Sequence, residues 1–218
     1  MNLFIVRHGE SLAYIDPALN NHPDTALSPL GERQARAVAT RLMTLELSRI
    51  VSSPLVRALG TAAYIAEAVD HSTIEVWPEL CEGWVGAFQS FPRQEILRRF
   101  PRANLPDSIT DAGWSYPGDE SYAAFCARAE AVLRRIETAF SHADRVAVVT
   151  HGGLANALLH AILHISSATP RWFELQNASI THVRLVPDPQ AERLNWPLIY
   201  PPVYAEVQAV NDTAHLRF

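Results

Sequence analysis

Three short apolar runs, each breaking off into a turn that carries arginine or histidine, constrain this chain more than any other feature. Leu3-Phe4-Ile5-Val6 stops at Arg7-His8-Gly9-Glu10, and Arg49-Ile50-Val51-Ser52 leads into Ser53-Pro54-Leu55-Val56-Arg57. Val146-Ala147-Val148-Val149 ends in Thr150-His151-Gly152-Gly153. Continuous apolar runs of this length, rich in β-branched residues, read as strands buried on both faces. Helical periodicity fills the intervals. Ser28-Pro29 supplies an N-cap and a first-turn proline ahead of Ala35, Val38, Leu42 and Leu45. Leu59, Ala62, Ala66 and Val69 share a face, and Tyr122, Phe125, Ala129, Val132, Ile136 and Phe140 keep one apolar stripe across 120–140. Residues 154–163 read as a further helix, 93–100 as a short one, 74–77 as a strand, and 179–186 as an edge or one-sided strand. Strands alternating with helices predict an α/β fold with a largely parallel sheet. Ligands bind such sheets beyond the carboxyl ends of the strands, which brings all three polar turns into one crevice.

With 218 residues, 48% of them hydrophobic, the chain is expected to form a single domain over 1–218. Gly83-Trp84-Val85-Gly86 is too glycine-rich for a regular element, and Pro101, Pro106 and Pro117 interrupt 101–118. Long irregular stretches in compact domains tend to be functional, so 83–118 is expected to face the substrate as a cap. The proline-rich tail from Pro187 to the C-terminus supports no assignment. A net charge of −5 and a pI near 6.0 give no basic field for nucleic acid or an anionic membrane. All 18 basic residues are arginine, which excludes Schiff-base chemistry, a P-loop lysine and a lysine general base. Cys81 and Cys126 form no C-x-x-C pair, so neither a disulfide framework nor a metal knuckle is expected. A signal-like segment before Arg7 and any run of about 18 apolar residues are both lacking, and the expectation is a soluble cytoplasmic protein.

Two histidines and two arginines meeting at one sheet edge suit a phosphate monoester. Such an ester carries up to two negative charges, and Arg7 and Arg57 are cations that keep their protons. His8 would attack phosphorus through one ring nitrogen while the other donates to a backbone carbonyl that fixes the tautomer. Gly9 is expected to permit a tight turn and a close ligand approach. His151, if protonated, would stabilise the equatorial oxygens, and the amides after Gly152 would open a helix whose N-terminus favours an anion. A departing alkoxide still needs a proton, a step for which a positioned acid contributes a factor of roughly 100 to 10,000. Glu79 and Glu82 both qualify, and their spacing does not choose between them.

Five ordered stretches together resemble the histidine phosphatase superfamily, the phosphoglycerate-mutase-like enzymes. They are Arg7-His8-Gly9-Glu10-Ser11, the Ser52 to Ala62 segment with Arg57 and Thr61, Leu80-x-Glu82, Gly118-x-Glu120-Ser121 and Thr150-His151-Gly152-Gly153. The resemblance implies a three-layer α/β/α sandwich with a mostly parallel sheet and one antiparallel edge strand. It implies a phosphohistidine intermediate on His8, a phosphate site of Arg7, His8, Arg57, His151 and Gly152, Glu82 as general acid and base, and no required metal or cofactor. Where similar mutases place Arg-x-Tyr-Gly after the acid, this chain has Gly83-Trp84-Val85-Gly86, and Ala13 and Tyr14 replace a Trp-Asn pair. Hydrolysis of a small phosphorylated substrate or a phosphoprotein is therefore preferred over mutase action. A phospho-ligand-binding protein with little turnover is the further alternative.

Several residues carry plainer readings. Glu10 and Ser11 are expected to orient the first loop, and Arg98-Arg99 to meet a substrate anion or form a solvated helix face. His160 and His164 stand four apart, but no third ligand accompanies them. Trp84, Trp114 and Tyr116 either line a substrate wall or pack internally. Nothing in the sequence reads on oligomeric state.

Overall fold

The first strand, β1 (Asn2–Arg7), shows why its run is apolar throughout. Successive side chains of a strand point to opposite faces, and here both faces are covered. Leu3 and Ile5 enter a core with Ala129, Val132 and Ile136 of α4 (Tyr122–Ala139) and Leu154 and Leu158 of α5 (Gly152–Ile162). Phe4 and Val6 enter a second core with Val38 and Leu42 of α1 (Pro29–Met43) and Leu59 and Ala62 of α2 (Val56–Ala68). The result is the expected three-layer α/β/α sandwich. Truncating a fully buried residue such as Leu3 to alanine would cost about 2–5 kcal/mol.

This computed structural model describes residues 1–20, 22–70, 73–84, 86–116, 118–186 and 203–217. His71, Val85, Pro117 and most of the tail, 187–202, lie outside the described residues. The remaining strands are β2 (Arg49–Ser52), β3 (Ile74–Val76), β4 (Phe88–Gln89), β5 (Ala103–Asn104), β6 (Ser115–Tyr116), β7 (Arg145–Thr150), β8 (Ile180–Leu185) and β9 (Ala205–Asp212). Six of them join β1 in one sheet of order β5-β3-β2-β7-β1-β8-β9. Neighbours from β5 to β1 are parallel, whereas β8 runs against β1. The antiparallel edge is broader than expected, because β9, from the unassigned tail, pairs antiparallel outside β8.

The chain leaves β1, steps outward through β2, β3 and β5, and returns to insert β7 between β2 and β1. That reversal sets three carboxyl ends side by side, with Arg7 opposite Thr150 and Ser52 opposite Val149. Within 83–118, α3 (Arg93–Arg99) buries Ile96 in the α1/α2 core and β5 extends the main sheet beside β3. β4 and β6 pair separately, Phe88 opposite Tyr116. No helix among the described residues is long and apolar enough to cross a membrane.

Candidate active site

His8 follows β1 directly, and its backbone amide donates to Thr150 O at 2.9 Å, extending the β1–β7 register by one residue. Its ring is buried and its tautomer is set from both sides. Nδ1 lies 2.6 Å from Gly9 O, a group that can only accept, so Nδ1 carries the proton. Arg57 Nε, which can only donate, lies 3.1 Å from His8 Nε2, so Nε2 carries the lone pair. Burial, reinforced by Arg57 and Arg7, holds the imidazole well below its usual range despite the Gly9 bond. Such a ring is neutral at pH 7, with an in-plane lone pair. The space beside Gly9 is not left to a ligand, since a Cβ there would stand 2.5 Å from Gly31 O; it admits the crossing backbone of α1.

Arg57 sits in the first turn of α2 and is nearly buried; its Nη1 donates to Pro23 O at 2.7 Å. The N-terminus of α2 has no cap from its own N-cap residue, Leu55. Asp24 supplies one from the loop before α1, its Oδ1 accepting from Val56 N at 2.8 Å. Burial pushes the Asp24 carboxyl up to about 6, and its Oδ2 has no partner among the described residues. Arg7 ends β1 with Nη2 on the Tyr14 hydroxyl at 2.7 Å and Nη1 on Leu175 O, while its Nε remains unpaired among the described residues.

His151 follows β7 and is the N-cap residue of α5. Its ring meets the His8 ring edge-on, centroids 5.0 Å apart, and Nε2 lies 2.8 Å from Ser53 Oγ. It is fully buried behind the cavity wall, with Nδ1 unpartnered among the described residues. Burial, followed by Arg57 and His8, keeps it neutral, so the protonated His151 envisaged from the sequence is disfavoured before an anion binds.

Glu82 and Glu79, open alternatives in sequence, are separated by the turn of 3₁₀ helix Pro78–Leu80. Glu82 is aimed at the first turn of α5, accepting from Gly153 N at 2.8 Å and Gly83 N at 3.0 Å. Glu79 faces outward and pairs with Arg135 at 3.1 Å. Arg7, His8, Arg57, Glu82 and Gly152 share the wall of one cavity of about 640 Å³. Tyr14, Asn20, His22, Trp84, Trp172 and Glu174 are among the other residues that line it. Asp24 and Ser53 stand in polar turns near the site, but nothing in the sequence signals their partners Val56 N and His151 Nε2 or the arrival of the 172–175 segment.

Other sequence candidates lie elsewhere. Glu10 accepts from Ser28 Oγ at 2.6 Å and so braces the loop. Arg98 and Arg99 both pair with Glu95, at 2.8 and 2.6 Å, away from the cavity wall. Trp114 and Tyr116 pack with Phe88, whereas Trp84 reaches the cavity. His160 is buried on the Arg171 carbonyl and His164 is exposed.

Residues 3–196 match the histidine phosphatase superfamily, branch 1. The chain belongs to that superfamily. It is 32% identical over 206 residues to a glucosyl-3-phosphoglycerate phosphatase of Mycobacterium tuberculosis, spanning 90% of this chain and 92% of the relative. An adenosylcobalamin/alpha-ribazole phosphatase of Salmonella typhimurium is 27% identical over 183 residues, 81% of this chain and 86% of the relative. A probable phosphoglycerate mutase GpmB of Yersinia enterocolitica is 26% identical over 216 residues, 99% and 95% of the two chains. Among solved structures, mycobacterial glucosyl-3-phosphoglycerate phosphatase with VO3 superposes with a TM-score of 0.61 at 29% identity, covering 84% of this chain and 92% of that one.

Proposed function

We propose that this superfamily member is a phosphatase that hydrolyses phosphate monoesters without a metal, through a phosphohistidine on His8. The observation that carries the reading is the doubly fixed tautomer of His8, a buried neutral imidazole with its Nε2 lone pair beside Arg57. Arg7, Arg57 and the first turn of α5 receive the phosphoryl oxygens, and a bound dianion favours a proton on His151, whose ring, packed edge-on against His8 behind the cavity wall, then offsets its charge. His8 Nε2 attacks phosphorus, the P–O bond to the leaving group breaks, and protonated Glu82 delivers its proton to that oxygen. In the second step Glu82 carboxylate takes a proton from water as the water oxygen bonds to phosphorus, the P–N bond breaks with its electron pair returning to Nε2, and phosphate leaves with His8 restored.

The test is release of phosphate from an aryl phosphate in the presence of a chelator, with acid-stable and acid-labile phosphoenzyme separated after quenching. Acid-labile, base-stable label on wild type, absent with His8→Ala along with turnover, is expected. Turnover surviving His8→Ala would overturn the reading. The Yersinia relative keeps mutase action as the second reading, and transfer of label between two positions of a phosphoglycerate in place of release would favour it.

A further inference from the structure

We infer that the leaving group accepted by this cavity carries a flat, uncharged aromatic ring and no second anionic group. The inference rests on the phosphatase reading and narrows it. Among the described residues the arginines of the cavity wall are Arg7 and Arg57, and both lie against His8 at the phosphate end. The nearby arginines of α3 are otherwise engaged. Arg98 and Arg99 pair with Glu95, and Arg93 donates to the carbonyls of Leu105, Pro106 and Ile109.

Beyond the catalytic end the wall carries one imidazole, His22, the small polar side chains of Asn20 and Asn156, one further carboxylate, Glu174, and three aromatic rings. Glu174 is exposed there and makes no hydrogen bond or ion pair among the described residues. A substrate carboxylate would meet this charge with no third arginine on the described wall to offset it, a repulsive element against such ligands. Three aromatic side chains from three separate segments share the same wall: Tyr14 after β1, Trp84 after β3, and Trp172 ahead of β8. Tyr14 is 58% exposed and Trp172 69%. Single exposed aromatics need no explanation, but three converging on one cavity provide stacking faces for a planar ring. Stacking of this kind is tolerant of ring identity and is worth about tenfold or more in binding per aromatic platform.

Three monoesters that share an alkyl phosphate end separate the terms. Adenosine 5′-monophosphate presents a ring, ribose 5-phosphate lacks it, and 3-phosphoglycerate carries a carboxylate. The expected order of kcat/KM is the nucleotide above ribose 5-phosphate by about tenfold, with 3-phosphoglycerate lowest. Trp172→Ala should collapse the nucleotide-to-ribose ratio toward one, and Glu174→Gln should raise 3-phosphoglycerate relative to ribose 5-phosphate. Binding of the same three ligands to the His8→Ala protein, followed by tryptophan fluorescence, reads the same preference without turnover. An equal or reversed order in that titration, or a Trp172→Ala loss shared by all three ligands, would overturn the inference. Ring-selective binding to His8→Ala together with an inactive wild type would instead overturn the phosphatase reading alone.

Discussion

Arg57 Nε donates to His8 Nε2 at 3.1 Å, so the lone pair assigned to attack is masked by a guanidinium proton until a substrate arrives. An incoming phosphate offers Arg57 a charged acceptor in place of a neutral one, and charge-assisted bonds are roughly twice as strong. The same exchange uncovers the nucleophile. Lysine cannot reproduce both the Nε bond and the Nη1 anchor on Pro23 O. Arg57→Lys is therefore expected to lower kcat/KM about 100-fold, as loss of one oriented donor does elsewhere. Steady-state kinetics within threefold of wild type would contradict this role.

Glu82→Gln separates protonation of the leaving group from attack. The amide oxygen can still accept from Gly153 N, which keeps one of the two backbone bonds that hold the side chain. Loss of the acid should slow hydrolysis of alkyl phosphates about 100- to 10,000-fold. A nitrophenyl ester needs little help in leaving and should form phosphoenzyme at near the wild-type rate. Its turnover should then stall, because no base activates water. Rapid-quench traces are expected to show a burst of nitrophenol followed by a slow phase. Uniform slowing of both esters without a burst would count against Glu82 as the proton carrier.

Gly153→Ala tests the same carboxylate from the opposite side. A Cβ at 153 would stand 2.5 Å from Glu82 Oε1 and 3.1 Å from both Cδ and Oε2, with no other atom among the nearest three. The substitution sits in the first turn of a helix, where alanine is well tolerated. Its effect should appear as displacement of Glu82: the burst pattern of Glu82→Gln, with Tm changed by only a few degrees. A wild-type rate would show that the carboxylate position is immaterial.

The contrast between Glu79 and Glu82 shows where sequence reading stops. Glu79 lies three and Glu82 six residues past the end of β3, and one turn of 3₁₀ helix decides which reaches Gly153 and which reaches Arg135. The sandwich itself was legible because its signals are local: the Ser28 side chain caps α1 by accepting from Gly31 N, and the stripe of α4 lies along one helix. β5 and β9 were not, since a two-residue strand has no period and β9 is half-exposed on an outer edge. Arg7, His8, Arg57 and His151, singled out by strand-end chemistry, do come together at one sheet edge. Their supports were hidden because each acts at long range: Asp24 caps a helix 32 residues on, and Leu175 O holds Arg7 from 168 residues away.

The site also writes two opposed terms into the pH dependence of stability. Burial lowers His8 and His151 well below 6.5 in the folded protein. The unfolded chain then binds more protons below about pH 6.5, so the stability these rings contribute is present above that pH and lost as it falls. Asp24 has the other sign. Its carboxyl rises from 3.8 to about 6 on folding, so the folded protein holds the extra proton in that window. The associated stability is complete below the unfolded value and is lost as pH rises through the folded one. A shift of this size corresponds to about 3 kcal/mol. Urea midpoints between pH 4 and 7.5 separate the two. Asp24→Asn is expected to gain on wild type by up to that amount between pH 4 and 7, and His151→Gln should flatten the acid limb below pH 6.5. Profiles parallel to wild type for both variants would mean that neither group is buried as the fold places it.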